Sequence, residues 1–218
     1  VKVNEIFFSI QGESSSIGLP TVFVRFTGCN LRCTYCDTKY SYYEGEPDTP
    51  EGIMEKIRSY GVKRVCLTGG EPLIQPREEM QRLLDLLAAE DYEVSIETDG
   101  SIDISKICLH DRQRFILDMK VPSSGMSDRM DFANLRRIVP ERDEIKFVVG
   151  NREDYEWSKR LIANYDLDPA KGYRLIFSPI FGGLTYRELV EWVLEDRLDA
   201  RFQVQLHKIV WDPQLRGV

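Results

Sequence analysis

Cys29, Cys33 and Cys36 place three potential thiolate ligands within eight residues, in a segment that Gly28 helps to bend. Two chemistries use such a set. A structural zinc site takes four protein ligands, so it would need a fourth from Cys66, Cys108, His110 or His207. A 4Fe-4S cluster held by three cysteines keeps one iron open to an external ligand, which makes the cluster reactive. Cys66 lies inside the apolar run Val65-Cys66-Leu67, where a small buried thiol is expected, and Cys108 borders an expected core segment. Neither is an attractive fourth ligand. Cysteine spacing alone does not separate metals, and the rest of the chain favours the cluster.

Further chemistry-bearing segments each follow an apolar run: Thr68-Gly69-Gly70-Glu71-Pro72, Glu97-Thr98-Asp99-Gly100, Lys120 to Gly125, Ser178-Pro179 and His207-Lys208. The runs predict strands over Glu5–Ile10, Thr21–Phe26, Arg64–Leu67, Glu93–Ile96, Phe115–Met119, Glu144–Val149, Tyr173–Phe177 and Arg201–Leu206. Helical periodicity predicts helices over Pro50–Tyr60, with Thr49 as N-cap and Pro50 in the first position, then Arg77–Glu90, Glu153–Asn164 and Thr185–Glu195. This alternation favours an α/β fold with a mostly parallel sheet or an incomplete barrel. In such folds the loops at the carboxyl ends of the strands converge on one rim, so these segments are expected around one mouth.

The chain has 218 residues, 42% of them hydrophobic, with no repeat or linker, and one domain spanning 1–218 is expected. The 29 basic and 36 acidic residues give a net charge of -7, which argues against a general nucleic-acid binder. No apolar stretch approaches a membrane span, and Val1 to Glu5 lacks the layout of a secretory signal. Crowded cysteines without a disulfide framework fit a reducing compartment, so a cytoplasmic protein is expected. The acidic stretches Glu44–Asp48 and Glu188–Asp199 read as solvated faces.

The Cys-x3-Cys-x2-Cys motif resembles the cluster loop of the radical S-adenosylmethionine (SAM) superfamily, and Thr68-Gly69-Gly70-Glu71-Pro72 is similar to its SAM-binding loop. Alone, Gly-Gly-Glu-Pro would be an ordinary turn. The resemblance narrows, over nearly the whole chain, to the 7-carboxy-7-deazaguanine synthase family of queuosine and deazapurine biosynthesis. Ser9-Ile10-Gln11-Gly12-Glu13, Asp37-Thr38, Glu97-Thr98-Asp99-Gly100 and Gln205-Leu206-His207-Lys208 carry it. It implies a partial TIM-type barrel, a homodimer, and conversion of 6-carboxy-5,6,7,8-tetrahydropterin to 7-carboxy-7-deazaguanine with release of ammonia. A 4Fe-4S cluster, SAM and Mg2+ are the implied cofactors, and flavodoxin or ferredoxin is the kind of electron donor implied.

Carried over by position, the resemblance gives Cys29, Cys33 and Cys36 to the cluster. It gives Tyr35, Asp37 and Gly70 to SAM, with Lys120 and Ser178 as weaker SAM candidates, and Thr38 to magnesium. Gln11, Gly12, Arg25, Thr68 and His207 fall to the substrate, and Glu97 to acid/base work. Three features depart from the family pattern: Ser14-Ser15-Ser16 where a glycine usually follows the Glu, Asp99 where Asn is common, and a long tail ending at Val218. A carboxylate from the C-terminus can reach the substrate in the family, which leaves the part played by this tail open.

Each residue also has a plainer reading. Strand alternation sets Arg25 opposite the face of Val22, Val24 and Phe26, where it is either a salt-bridge partner or a two-pronged clamp for a carboxylate. The same alternation puts Gln203, Gln205 and His207 on one face of the last strand. Thr38 is either a turn cap or a hard oxygen ligand, and Asp37 would suit magnesium better on charge alone. Glu97 could pair with a cation, or have its pKa raised in an enclosed mouth and exchange protons. The rivals are a glycyl-radical activase acting on a protein partner, and a non-catalytic iron-sulfur or zinc protein, which would not need the Gly-Gly-Glu-Pro loop.

Overall fold

The computed structural model describes residues 1–218. Nine strands form one sheet: β1 (Lys2–Ile10), β2 (Pro20–Phe26), β3 (Glu46–Pro47), β4 (Arg64–Gly69), β5 (Glu93–Thr98), β6 (Gln113–Met119), β7 (Glu144–Val149), β8 (Arg174–Pro179) and β9 (Arg201–Phe202). Their order is β3-β1-β2-β4-β5-β6-β7-β8-β9. From β2 onward every neighbour is parallel and follows in chain order, the winding of a TIM-type barrel, while β1 and β3 add antiparallel strands at one edge. The two edges do not pair, so the barrel is incomplete.

Helices α1 (Pro50–Ser59), α2 (Arg77–Ala89), α3 (Arg152–Asn164) and α4 (Tyr186–Glu195) are amphipathic and bury one stripe each. In α1, Ile53, Met54 and Ile57 are fully buried, as are Met80, Leu83, Leu84 and Leu87 in α2. Thr49 caps α1 by accepting from the Gly52 N–H at 3.1 Å, and Pro50 occupies the first turn without losing a bond. Thr185 and Glu188 form a reciprocal capping box on α4. A short helix, α5 (His207–Val210), follows β9.

All eight expected strands and four expected helices are present, with ends displaced by a few residues. Two differences have physical causes. The short β3 falls inside the acidic stretch Glu44–Asp48, where exposed residues gave no strand pattern. The last strand stops at Phe202 instead of Leu206, because after Gln203, whose N–H still donates to the Phe177 carbonyl at 2.9 Å, the chain turns to the loop after β1, with Leu206 N–H donating to the Gly12 carbonyl at 3.0 Å.

Because Ile10 pairs with Pro20 at the start of β2, the Gln11–Leu19 loop lies at the amino end of the parallel strands. It crosses under the sheet as a floor: Ser15 N–H donates to Glu144 Oε2 at 2.9 Å, at the start of β7. The cysteine loop follows Phe26 at the opposite, carboxyl end. No helix is long and apolar enough to cross a membrane.

Candidate active site

A cavity of about 870 Å³ fills the space between floor and rim. Cys29, Cys33, Tyr35, Cys36, Asp37, Thr38, Gly69 and Gly70 line its rim side. Gln11, Gly12, Arg25, Thr68, Glu97, Lys120 and His207 line the rest. Every expected site residue except Ser178 is therefore at one cavity. Ser178 is buried in β8 with no partner for its hydroxyl and does not reach the lining.

The rim is assembled from two loops in direct contact. Gly70 N–H donates to the Phe26 carbonyl at 3.1 Å and Glu71 N–H to the Gly28 carbonyl at 2.8 Å, which seats the loop after β4 on the cysteine loop. Glu71 is wholly buried and accepts from Leu73 N–H (2.8 Å), Thr98 Oγ1 (3.0 Å) and Asp99 N–H (2.6 Å), so it also ties in the loop after β5. Burial first, then the neighbouring Asp99, pushes the Glu71 carboxyl well above the ordinary range.

The three rim thiols are free and part-buried. Burial pushes the Cys29 thiol up to about 12, and burial raises Cys33 too, so these two bare thiols hold their protons. A cationic metal centre is the compensation this set lacks. No three His, Cys, Asp or Glu side chains converge as a mononuclear site requires, whereas a four-iron cluster takes each thiolate on a different iron. Cys66 is fully buried in β4, Cys108 is exposed, and His110 pairs with Asp85 away from the cavity, so none of these supplies a fourth ligand. The donor set fits a three-cysteine cluster. Asp99 Oδ2 lies 3.7 Å from Cys29 Sγ.

Beyond the rim, strand register places charged side chains next to one another on the inner wall. Arg25 pairs in register with Thr68, and Asp118 with Lys146. Lys146 Nζ contacts Glu13 Oε2 at 2.6 Å and Asp118 Oδ2 at 3.3 Å, and Lys120 Nζ contacts Asp118 Oδ2 at 3.0 Å. Gln205 Nε2 donates to Glu13 Oε1 at 2.6 Å. The two lysines thus balance Glu13 and Asp118, which their cations hold below the ordinary carboxylate range against burial. Glu97 is left without a cation of its own. Its only side-chain bond is from Thr68 Oγ1 at 3.4 Å, and burial raises its pKa, with Lys146 opposing the shift and Glu13 and Asp118 adding to it.

Arg25 satisfies both of its readings: Nε donates to Glu5 Oε1 at 2.7 Å, which also accepts from Tyr40 OH at 3.0 Å, and the side chain lines the cavity. Burial lowers the His207 pKa, favouring the neutral ring. Asp37 is engaged by Lys208, and Thr38 Oγ1 lies 3.9 Å from Cys36 Sγ and 3.5 Å from Asp37 Oδ1. The tail from Pro213 to Val218 lines the cavity as well. Arg216 pairs with Glu44 at 3.0 Å, and its guanidinium lies 3.7 Å from the Tyr40 ring centroid.

Sequence reasoning assigned no role to Lys146, Asp118 or Gln205, and named Glu13 only as part of a motif. A signal was present for two of them. Lys146 and Asp118 interrupt the apolar strands Ile145-Lys146-Phe147 and Leu117-Asp118-Met119, and a charge there must find a buried partner.

An open parallel barrel whose carboxyl-end loops carry three free thiols beside a Gly-Gly turn defines a radical SAM enzyme. Residues 23–118 match the radical SAM superfamily. The chain is 41% identical to a 7-carboxy-7-deazaguanine synthase from Chlorobaculum tepidum, over all of this chain and 97% of the relative. It is 36% identical to one from Koribacter versatilis, over the full length of both. The crystal structure of QueE from Escherichia coli superposes with a TM-score of 0.76 at 25% identity, covering 94% of each chain. The chain belongs to the 7-carboxy-7-deazaguanine synthase family.

Proposed function

We propose that residues 1–218 act as one radical SAM unit that converts 6-carboxy-5,6,7,8-tetrahydropterin to 7-carboxy-7-deazaguanine and ammonia. The product is the substrate less ammonia, so the reaction is redox-neutral overall and belongs to the lyases. Cys29, Cys33 and Cys36 would hold the 4Fe-4S cluster, with SAM against Tyr35, Asp37 and Gly70 and with Lys120 beside it. Bound together, the reduced cluster and SAM supply the 5′-deoxyadenosyl radical that starts the chemistry.

The chain's own groups do the rest. Arg25 keeps its Nη donors for the substrate carboxylate while Glu5 holds Nε, so the fork is oriented before substrate arrives. Gln11, Gly12 and Thr68 fix the ring system, and neutral His207 can donate or accept beside it. Glu97 holds a proton in the cavity, gives it to the departing nitrogen and takes one from a ring carbon. Thr38 offers a hard oxygen to Mg2+ next to Asp37, whose charge Lys208 already occupies. The tail closes over the mouth with Val218 in the lining, which limits water and oxygen. A reduced cluster suits the cytoplasm, a flavodoxin- or ferredoxin-type donor and, by family likeness, a homodimer.

The observation that carries this reading is a single cavity with free thiols at its rim and a buried carboxyl of raised pKa, an oriented guanidinium and an imidazole of lowered pKa deeper in. Anaerobic holoenzyme with SAM, Mg2+, dithionite and the pterin should release 7-carboxy-7-deazaguanine, seen by mass, with one ammonia per product. Arg25→Met should weaken pterin binding about tenfold or more while SAM binding holds. Equal pterin affinity in the two proteins would remove Arg25 from the substrate site.

A further inference from the structure

The barrel's open edge is crossed by side chains. Gln203 follows directly after β9 and is buried at 3% exposure. Its Nε2 donates to the Ser14 carbonyl at 2.8 Å, and its Oε1 accepts from the Ser14 N–H at 2.6 Å. One carboxamide therefore satisfies both backbone groups of one residue, as a neighbouring strand would. Two residues on, Gln205 bonds the Glu13 carboxylate, and Leu206 N–H bonds the Gly12 carbonyl. The contacts run antiparallel, Ser14 to Gly12 against Gln203 to Leu206, and form a seam between the floor loop and the chain leaving β9.

Ser14 is held in an unusual conformation at this seam. Its φ is 67°, a left-handed value that a residue with a β-carbon keeps only when its surroundings hold it, and it is fully buried. Its Oγ accepts from the Ser16 N–H at 3.2 Å, which tightens the same turn. The seam sets distances inside the cavity: a β-carbon on Gly12 would fall 2.0 Å from His207 Nδ1, so the floor and the segment after β9 are already at their closest approach.

We propose that Gln203 is a positioning residue for this active site. It does not itself line the cavity. By clamping Ser14 it fixes Gly12 and Glu13 on one side of the substrate relative to Gln205 and His207 on the other. The inference rests on the functional reading above, and its tests separate the two.

In the reconstituted holoenzyme, Gln203→Met keeps the volume and removes both bonds. It should raise KM for the pterin about tenfold and leave kcat and iron per chain within about twofold. Hydrogen exchange at residues 12–16 should quicken. Adding Ser14→Gly to that variant should bring KM at least halfway back, because glycine takes the left-handed value without being held. A lowered melting temperature and iron content with unchanged KM would mark Gln203 as merely structural and overturn the proposal. A KM rise that Ser14→Gly does not reduce would overturn the link through Ser14. In the unaltered protein the Ser14 amide should exchange only on global unfolding, and exchange at loop rates would overturn the proposal whatever the variants do. If the unaltered holoenzyme fails to turn over the pterin, the functional reading falls while the exchange result still judges the seam.

Discussion

A β-carbon built on Gly70 would lie 1.8 Å from the Gly28 carbonyl oxygen, the same oxygen that accepts the Glu71 N–H at 2.8 Å. The loop after β4 and the cysteine loop are thus pressed together, backbone on backbone, where two cofactors have to meet. Gly70→Ala should separate them. Expected outcomes are SAM binding weakened by at least about tenfold, from a clash that backbone must move to relieve, and incomplete cluster loading. Iron analysis and equilibrium SAM titration check both.

Glu97 is buried in the cavity with no lysine in contact, and burial outweighs the attraction of Lys146, so its pKa lies above the ordinary carboxylate value. Glu97→Gln should lower kcat by ~100-fold or more while SAM binding is kept. The stability sign follows from linkage. A carboxyl with a raised folded pKa binds its proton more tightly when folded, so its ionisation disfavours the fold as pH rises through that value. Relative to the unaltered protein, the Gln variant should gain stability as pH rises above the ordinary Glu value of 4.5. Denaturant titrations across that range read the difference.

Lys146, in contact with Glu13 and Asp118, is the cation on which the floor depends. Lys146→Met strands the buried Glu13 carboxylate, leaves Asp118 to Lys120 alone, and should cost ~3–5 kcal/mol. Glu13 has a depressed folded pKa, so its part of the stabilisation is complete above its ordinary value of 4.5 and is lost as pH falls through the folded value. Lys146 has a raised folded pKa, so its part is complete below 10.5 and is lost as pH rises through the folded value. The gap between the two proteins should be flat across neutral pH and shrink in acid. A gap that widens on acidification would contradict the pairing.

Much of this was legible in the sequence, and what was not has identifiable causes. The cysteine spacing, the Gly-Gly turn and the strand alternation of Thr21–Phe26 led to residues that share one cavity, because each is a local pattern. Lys146 and Asp118 were harder, since their role appears only when β6 and β7 are side by side in register. The seam was harder still: the one hint of a positive φ at Ser14 was that a glycine usually follows the Glu in the family, and the polar alternation through Gln203 continued a strand that ends at Phe202. The Gln11–Glu13 segment also acts from the amino end of the barrel, opposite the rim that the loops were expected to share.

Asp99 brings a carboxylate oxygen within 3.7 Å of Cys29 Sγ. Negative charge beside a cluster ligand disfavours adding an electron. Asp99→Asn should therefore raise the reduction potential of the cluster, measured by an EPR-monitored redox titration. An unchanged or lowered potential would show that the charge is not felt there.

Radical ring contraction on a pterin is the reaction proposed for this cavity. The most direct measurement compares product formed with SAM consumed, in anaerobic holoenzyme supplied with 6-carboxy-5,6,7,8-tetrahydropterin, Mg2+ and dithionite, with Cys33→Ala as control. 7-Carboxy-7-deazaguanine should accumulate well beyond one equivalent per SAM, and the Cys33 variant should form neither cluster nor product. SAM cleavage to 5′-deoxyadenosine without that product would contradict it.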